Sequence, residues 1–269
     1  GHYDEYNSYQ HTGFFLGKYL QEYWRFYTDV FFRKFSQQGK KEHGQTTDVF
    51  DTEHVKIRGA MQIDLPPFWV FRENILELQI QRYDDVAQGL DTHYTDYQIG
   101  WSTALSETLS ASIMMGFQYR RYGVRSDNAR QFPDFTGFVG SLKVGWQISE
   151  KGALSLEVIG DLDDDQFGDS GYKYVETYTL KYIRKLSPFW EIALGPTISV
   201  ERFSQTNQDP NYPLRKRVDL RYMGTIEITY NFATWGRINF TYTYLFIDSN
   251  MEIFDTEVHT LAMLIEFGF

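Results

Sequence analysis

The last eleven residues constrain the fold most. His259, Leu261, Met263, Ile265, Phe267 and Phe269 alternate with Thr260, Ala262, Leu264, Glu266 and Gly268. Successive side chains of a strand point to opposite faces, so this run reads as a strand with one strongly apolar face. It finishes on Phe, whereas the ends of soluble domains normally fray into water. An apolar face carried to the last residue is expected to meet something other than water.

The same period of two recurs along the chain. Twelve segments carry it, at about 22–35, 53–65, 73–83, 93–105, 108–121, 137–148, 153–161, 173–184, 189–203, 218–232, 236–247 and 257–269. Most run 10–14 residues. Strands of soluble sheets average about 5–6 residues, whereas strands that cross a bilayer at a tilt need about 9–11. No run of 18 apolar residues exists, so no helix is expected to cross a membrane. A mean hydropathy of -0.45 does not oppose a membrane reading, because only every second residue of a barrel strand faces lipid.

The connections between segments alternate in length. Long ones fall at 36–52, 84–92, 122–136, 162–172, 204–217 and 248–256. Short ones fall at 106–107, 149–152, 185–188 and 233–235, with 66–72 somewhat longer. Outer-membrane barrels have short periplasmic turns and long external loops. The pattern predicts an all-β fold: an antiparallel transmembrane β-barrel of about twelve strands over residues 22–269, in a bacterial outer membrane. With an even strand count, both termini are expected in the periplasm. Gly1 is read as a mature start, since a secretory leader would have been removed.

Residues 1–21 stand apart. Tyr3, Tyr6, Tyr9, Phe14, Phe15, Leu16, Tyr19 and Leu20 make this segment too apolar for a plain tail. It is expected to be a periplasmic interfacial or plug segment. An early start to the first strand is an alternative, as is a helix carrying Leu16, Leu20, Tyr23, Trp24 and Tyr27 on one face.

In 236–247, Ile238, Phe240, Tyr242, Tyr244 and Phe246 alternate with Arg237, Asn239, Thr241, Thr243 and Leu245. One face is apolar and the other polar. With 18% aromatic residues, including 20 Tyr and 22 Phe, the chain suits aromatic girdles at two membrane interfaces. Lys143, Glu157, Lys181, Glu191, Glu227 and Arg237 are the candidate lumen-lining or gating residues. Acids and bases are nearly balanced there, so two arrangements compete. Paired charges would fill a narrow lumen, since a buried charge needs a partner. Charge rings around an open path would select solutes.

Several function classes are disfavoured. Cysteine is absent, so no disulfide framework or Cys-based metal site is available. A net charge of -10 argues against nucleic acid, which needs a basic face. Asp161, Asp163, Asp165 and Asp169 lie in an acidic stretch whose alternate carboxylates suit a hard cation such as Ca²⁺, bridging to lipopolysaccharide phosphates. Its spacing departs from a strict calcium loop, so a solvated charge run is the plainer reading and no cofactor is assigned. Arg215-Lys216-Arg217 is a rim cluster suited to outer-leaflet phosphates or an anionic polysaccharide. Ile247-Asp248-Ser249-Asn250-Met251 lacks the His and Gly of the outer-membrane phospholipase motif, and Ser249 has no neighbouring base to activate it. His259 belongs to the apolar side. The acidic pairs Asp84-Asp85 and Asp163-Asp164 are weak signals of a protease. The chain is therefore not expected to be an enzyme.

The terminal run Leu261, Met263, Ile265, Phe267 and Phe269 resembles the C-terminal assembly signal of outer-membrane barrels. The resemblance implies recognition by the outer-membrane insertion machinery and contact with membrane lipid and lipopolysaccharide. The second half, about 100–269, resembles outer-membrane β-barrel families linked to exopolysaccharide secretion in Gram-negative bacteria. The resembling stretches are Phe138–Trp146, Gly168–Tyr174, Arg217-Val218-Asp219 and Asp248-Ser249-Asn250. This implies an export component working with periplasmic or other envelope proteins. The functional expectation is a translocation component or porin-like conduit, with polysaccharide as the implied cargo. The alternative is a structural barrel with a filled lumen that anchors an envelope complex, and an outer-membrane enzyme stands third.

Overall fold

The computed structural model describes residues 7–20, 24–38, 48–87, 90–124, 134–164, 172–206 and 216–267. These form thirteen strands in one sheet, each bonded to its neighbours in chain order. They are β1 (Asn7–Leu20), β2 (Trp24–Gln38), β3 (Asp48–Leu65), β4 (Asn74–Ala87), β5 (Leu90–Ala104), β6 (Leu109–Val124) and β7 (Phe135–Ser149). Then follow β8 (Gly152–Asp164), β9 (Tyr172–Lys185), β10 (Trp190–Thr206), β11 (Lys216–Ala233), β12 (Gly236–Ser249) and β13 (Thr256–Phe267). A single 3-10 turn spans Glu252–Phe254. Among the described residues no helix is long and apolar enough to cross a membrane.

Strands β2 to β13 correspond to the twelve segments of the sequence pattern. Several run further toward the long connections than the pattern does. Backbone N–H and C=O groups still gain partners there, so pairing continues past the apolar stretch. The segment 84–92 shows this most clearly. Its charges suggest a long loop, yet β4 continues to Ala87 and β5 begins at Leu90.

The N-terminal segment also takes a definite form. Asn7–Leu20 is strand β1, antiparallel to β2 with Leu20 opposite Arg25 and Asn7 opposite Gln38. Of the sequence readings, only the early strand places these residues in a sheet, and Gly13 and Gly17 weaken a helix at its centre. The register puts Asn7 on the long-loop side. The described sheet thus has one strand more than the twelve segments.

The short turns have a local cause. Ser106, Ser149 and Ser187 open three of them. Each hydroxyl accepts backbone N–H groups just ahead: Thr108 and Leu109 at 3.2 and 3.0 Å, Lys151 at 3.4 Å, and Phe189 and Trp190 both at 3.1 Å. Such side-chain turns replace a ladder bond where the strand must end. The turn before β12 needs Gly236, where a Cβ would fall 2.3 Å from the Phe232 ring. The turn between β3 and β4 is a tight hairpin closed by Phe68 and Phe71, whose N–H groups bond each other's carbonyls at 3.0 and 2.9 Å. Trp69 at its tip has φ 52°, the left-handed region that bulky residues avoid. Trp69, Trp101, Trp146, Trp190 and Trp235 lie in or within a few residues of a short turn.

Two compact units divide the chain, 1–65 with 75–101 and 115–138, and 66–74 with 102–114 and 139–269. In the second, the apolar face of β11 presents Tyr222, Ile226, Ile228, Tyr230 and Phe232. From Tyr222 to Phe232 is a rise of about 34 Å along the strand, or about 24 Å at a 45° tilt, close to the roughly 25 Å apolar band of outer-membrane barrels. Tyr222, Ile226 and Ile228 are exposed, as are Leu194, Ile198, Phe240 and Phe246 on the same face. Large apolar side chains outside and buried charges on the opposite face invert the arrangement of a soluble protein. Strand β13 pairs only with β12 among the described residues, and nearly all its residues are exposed.

Candidate functional site

The polar face of the second unit is the candidate site. Register assigns it residue by residue. Lys143 lies opposite Glu157, which lies opposite Thr179, itself opposite Thr197. One row nearer the short turns, Gly145 lies opposite Ser155 and Ser155 opposite Lys181. Glu191 lies opposite Thr229, Glu227 opposite Thr241, and Arg237 opposite Glu266. The six sequence candidates Lys143, Glu157, Lys181, Glu191, Glu227 and Arg237 thus share one face. The Lys181 ammonium donates to Glu227 at 3.1 Å, and the Arg237 guanidinium donates to Glu266.

Between the charges the face carries hydroxyls. Thr177 and Ser199 are 3.1 Å apart, and Thr179 and Thr197 are 3.2 Å apart. Thr225, Thr243 and Thr260 form one cross-strand row over β11–β13. Opposed hydroxyls are ordinary cross-strand pairs, and each both donates and accepts.

The two ends of this face differ. Toward the long loops its charges are buried and paired. Glu201 is 3% exposed and holds Lys173 and Arg221, both at 3.1 Å, while Lys173 also reaches Asp163 at 3.4 Å. Asp219 is 0% exposed and takes the Arg217 Nε–H at 2.9 Å. The Arg217 guanidinium lies 3.6 Å from the Phe254 ring centroid and 4.4 Å from that of Phe203. Asn250 holds the 248–255 connection down, accepting from the Val218 N–H at 3.0 Å and donating to the Lys216 carbonyl at 2.9 Å. Met251 is buried beneath it. Toward the short turns the face is open, with Lys143 and Arg237 exposed and the Lys181 side chain 41% exposed.

The buried cluster at the long-loop end is what sequence reasoning missed. Lys173, Glu201 and Asp219 sit on polar alternation positions, and that was the available signal. Pairing across three strands cannot be read from one strand at a time. Arg217 is also placed differently from the sequence expectation. Its guanidinium is held by Asp219 and two aromatic rings on the polar face, not turned to outer-leaflet phosphates.

The other candidates fall as follows. Asp161 and Asp163 lie in β8, not in a loop; Asp161 accepts the Leu162 N–H at 2.7 Å and Asp163 pairs with Lys173. Asp165, Asp169 and Phe269 lie outside the described residues. Leu261, Met263, Ile265 and Phe267 form the exposed apolar row of β13, Leu261 at 80%. Phe267 packs with Trp235 and Phe232, ring centroids 6.1 and 6.2 Å away. His259 is on the apolar face, its Nδ1 2.8 Å from the Tyr242 hydroxyl. The Ser249 hydroxyl accepts the Met251 N–H at 3.2 Å. Asp84 lies in β4, bonded to Arg82 at 3.2 Å and to His93 at 2.7 Å.

The first unit has its own polar face, richer in amides. Gln62 donates to Glu77 at 2.7 Å and Gln81 to Asp96 at 3.5 Å. Arg120, 2% exposed, lies over the Tyr94 ring at 4.8 Å. Arg25 pairs with Asp64.

No family model matches the chain, and no curated protein matches it by sequence. Solved structures do match. The ferric-catecholate import receptor Fiu of Escherichia coli K12 superposes with a TM-score of 0.65 at 7% identity, over 98% of this chain and 52% of the receptor. The alcaligin outer-membrane receptor FauA of Bordetella pertussis gives 0.67 at 9% identity, over 97% of this chain and 50% of the receptor. The chain spans about half the length of these receptors. Its fold is that of bacterial outer-membrane β-barrel proteins, and its exposed apolar face fits that fold.

Proposed function

We propose that the chain forms the wall of an outer-membrane transport conduit, with the polar face of β7–β13 as the surface that solutes meet. One observation carries the reading. That face carries exposed charge at the short-turn end and buried ion pairs at the long-loop end. A gated conduit needs one accessible end and one that side chains can occlude. Balanced charge and a hydroxyl belt favour polar, largely neutral cargo, and polysaccharide is the finer form of the proposal. The superposed structures are by name a ferric-catecholate import receptor and an alcaligin outer-membrane receptor, and they support transport without specifying cargo.

Single-channel conductance of the refolded full chain in planar bilayers tests the reading. Gated conductance that falls when Lys181 is replaced by Trp is the expected result. A stably inserted but silent protein would refute it. The second reading, a structural anchor with a filled lumen, is favoured by the same Lys173–Glu201–Arg221 cluster and would then lead. Envelope partners would be sought on the loops, and no catalytic role is proposed.

A further inference from the structure

We infer that the polar face carries a binding pocket for a neutral polyhydroxylated solute, about one or two sugar rings in size, at its short-turn end. The inference rests on the transport reading of the same face and names what the open end would hold.

The pocket is carved by small residues in neighbouring register rows. Gly145, Ser155 and Lys181 form one row, and Gln147, Ala153 and Ile183 the next. Ala104 and Ser110 close the side nearer β6. Together they line a cavity of about 390 Å³. Ligand pockets run from about 300 to 1,000 Å³, so this one admits a small ligand and not a long chain. Gly145 is decisive for the space: a Cβ there would come within 3.1 Å of the Ser110 Oγ.

The chemistry of the walls selects the ligand. The Ser110 and Ser155 hydroxyls have no side-chain hydrogen-bond partner among the described residues, so both are available to donate and accept. The Lys181 ammonium is 3.1 Å from Glu227, so the only cation in the wall is already neutralised. Glu107 stands at the rim and the chain carries a net charge of -10, which opposes an anion. A cation would have to displace Lys181 from Glu227. Vicinal hydroxyls avoid both conflicts. One can accept from Lys181 and the next can donate to Glu227, while the serines bond the rest.

The test is isothermal titration of the refolded full chain in detergent with D-glucose and maltose, with D-glucuronate and glucosamine as charged comparators. Saturable binding of a neutral sugar, at least tenfold weaker in Gly145→Leu, is the expected result. Ser155→Leu fills the same space from the next strand and should do the same. Heat-modifiable migration identifies the folded variants, and Ile198→Leu, on the exposed apolar face and outside the pocket, should bind as the parent does. No saturable binding of either neutral sugar by the parent chain would overturn the inference. So would unchanged affinity in the folded filling variants, or a preference for glucuronate. Conductance of the same preparations keeps the two ideas separable. A silent protein that binds sugar sinks the conduit and keeps the pocket, and a conducting protein that binds none does the reverse.

Discussion

Glu201→Gln removes one charge and almost no volume, and its consequence follows from the buried cluster. The Glu201 carboxylate is 4% exposed and faces Lys173, whose side chain is 13% exposed, and Arg221, both at 3.1 Å. Without the carboxylate, two cations face each other across β9–β11, with Asp163 the remaining partner of Lys173 at 3.4 Å on an exposed side chain. Breaking a buried pair by removing one member costs about 3–5 kcal/mol, because the remaining charge stays desolvated. With a urea slope of about 2 kcal/mol per molar, the unfolding midpoint should fall by about 1.5–2.5 M. The assay is urea unfolding of the refolded protein in lipid vesicles, followed by tryptophan fluorescence. A second variant, Lys173→Met, and the double variant complete a cycle. The double variant should recover more than 1 kcal/mol of the summed losses, because neutralising both partners leaves fewer unpaired charges. A Glu201→Gln midpoint within about 0.3 M of the parent would refute the reasoning, since the cluster would then be hydrated and the long-loop end open.

Three further outcomes are expected. Ile226→Lys, near the middle of the apolar face, should destabilise the inserted protein by about 2–4 kcal/mol, whereas Thr225→Lys on the polar face should cost far less; equal losses in vesicle unfolding would mean the faces are misassigned. Trp69→Gly should raise stability in detergent by about 1 kcal/mol through relief of the left-handed backbone, read as a higher urea midpoint, with a lower midpoint counting against strain at the hairpin. Arg217→Met should leave the strands folded but expose residues 250–254 to protease several-fold faster, because the guanidinium no longer bridges Asp219, Phe203 and Phe254; unchanged cleavage would show that Asn250 and Met251 hold the connection alone.

Much of the fold was legible one strand at a time. Alternation such as Ile226-Glu227-Ile228-Thr229 assigns faces because the side-chain period of a strand is two. Segment lengths and the alternation of long and short connections then set strand number to within one hairpin. The segment 7–20 was harder, since its aromatics suit a strand, a plug or a helical face equally, and only its pairing with β2 decided. The connection 84–92 misled because its charges look like a loop, while the backbone there still finds a partner strand.

The candidate site divides along the same line. Sequence by itself determined that Lys143, Lys181, Glu227 and Arg237 lie opposite the lipid-facing side chains, because that follows from local geometry. It could not determine which charges meet. Lys173, Glu201 and Arg221 come from three strands, and Arg217, Phe203 and Phe254 from two strands and a connection, so their contacts depend on register. Register is a long-range property, fixed by how whole strands align, and a shift of one residue would turn every one of these side chains to the opposite face. The buried and exposed ends of the polar face, and the pocket between Gly145, Ser155 and Lys181, were therefore decided by the tertiary structure alone.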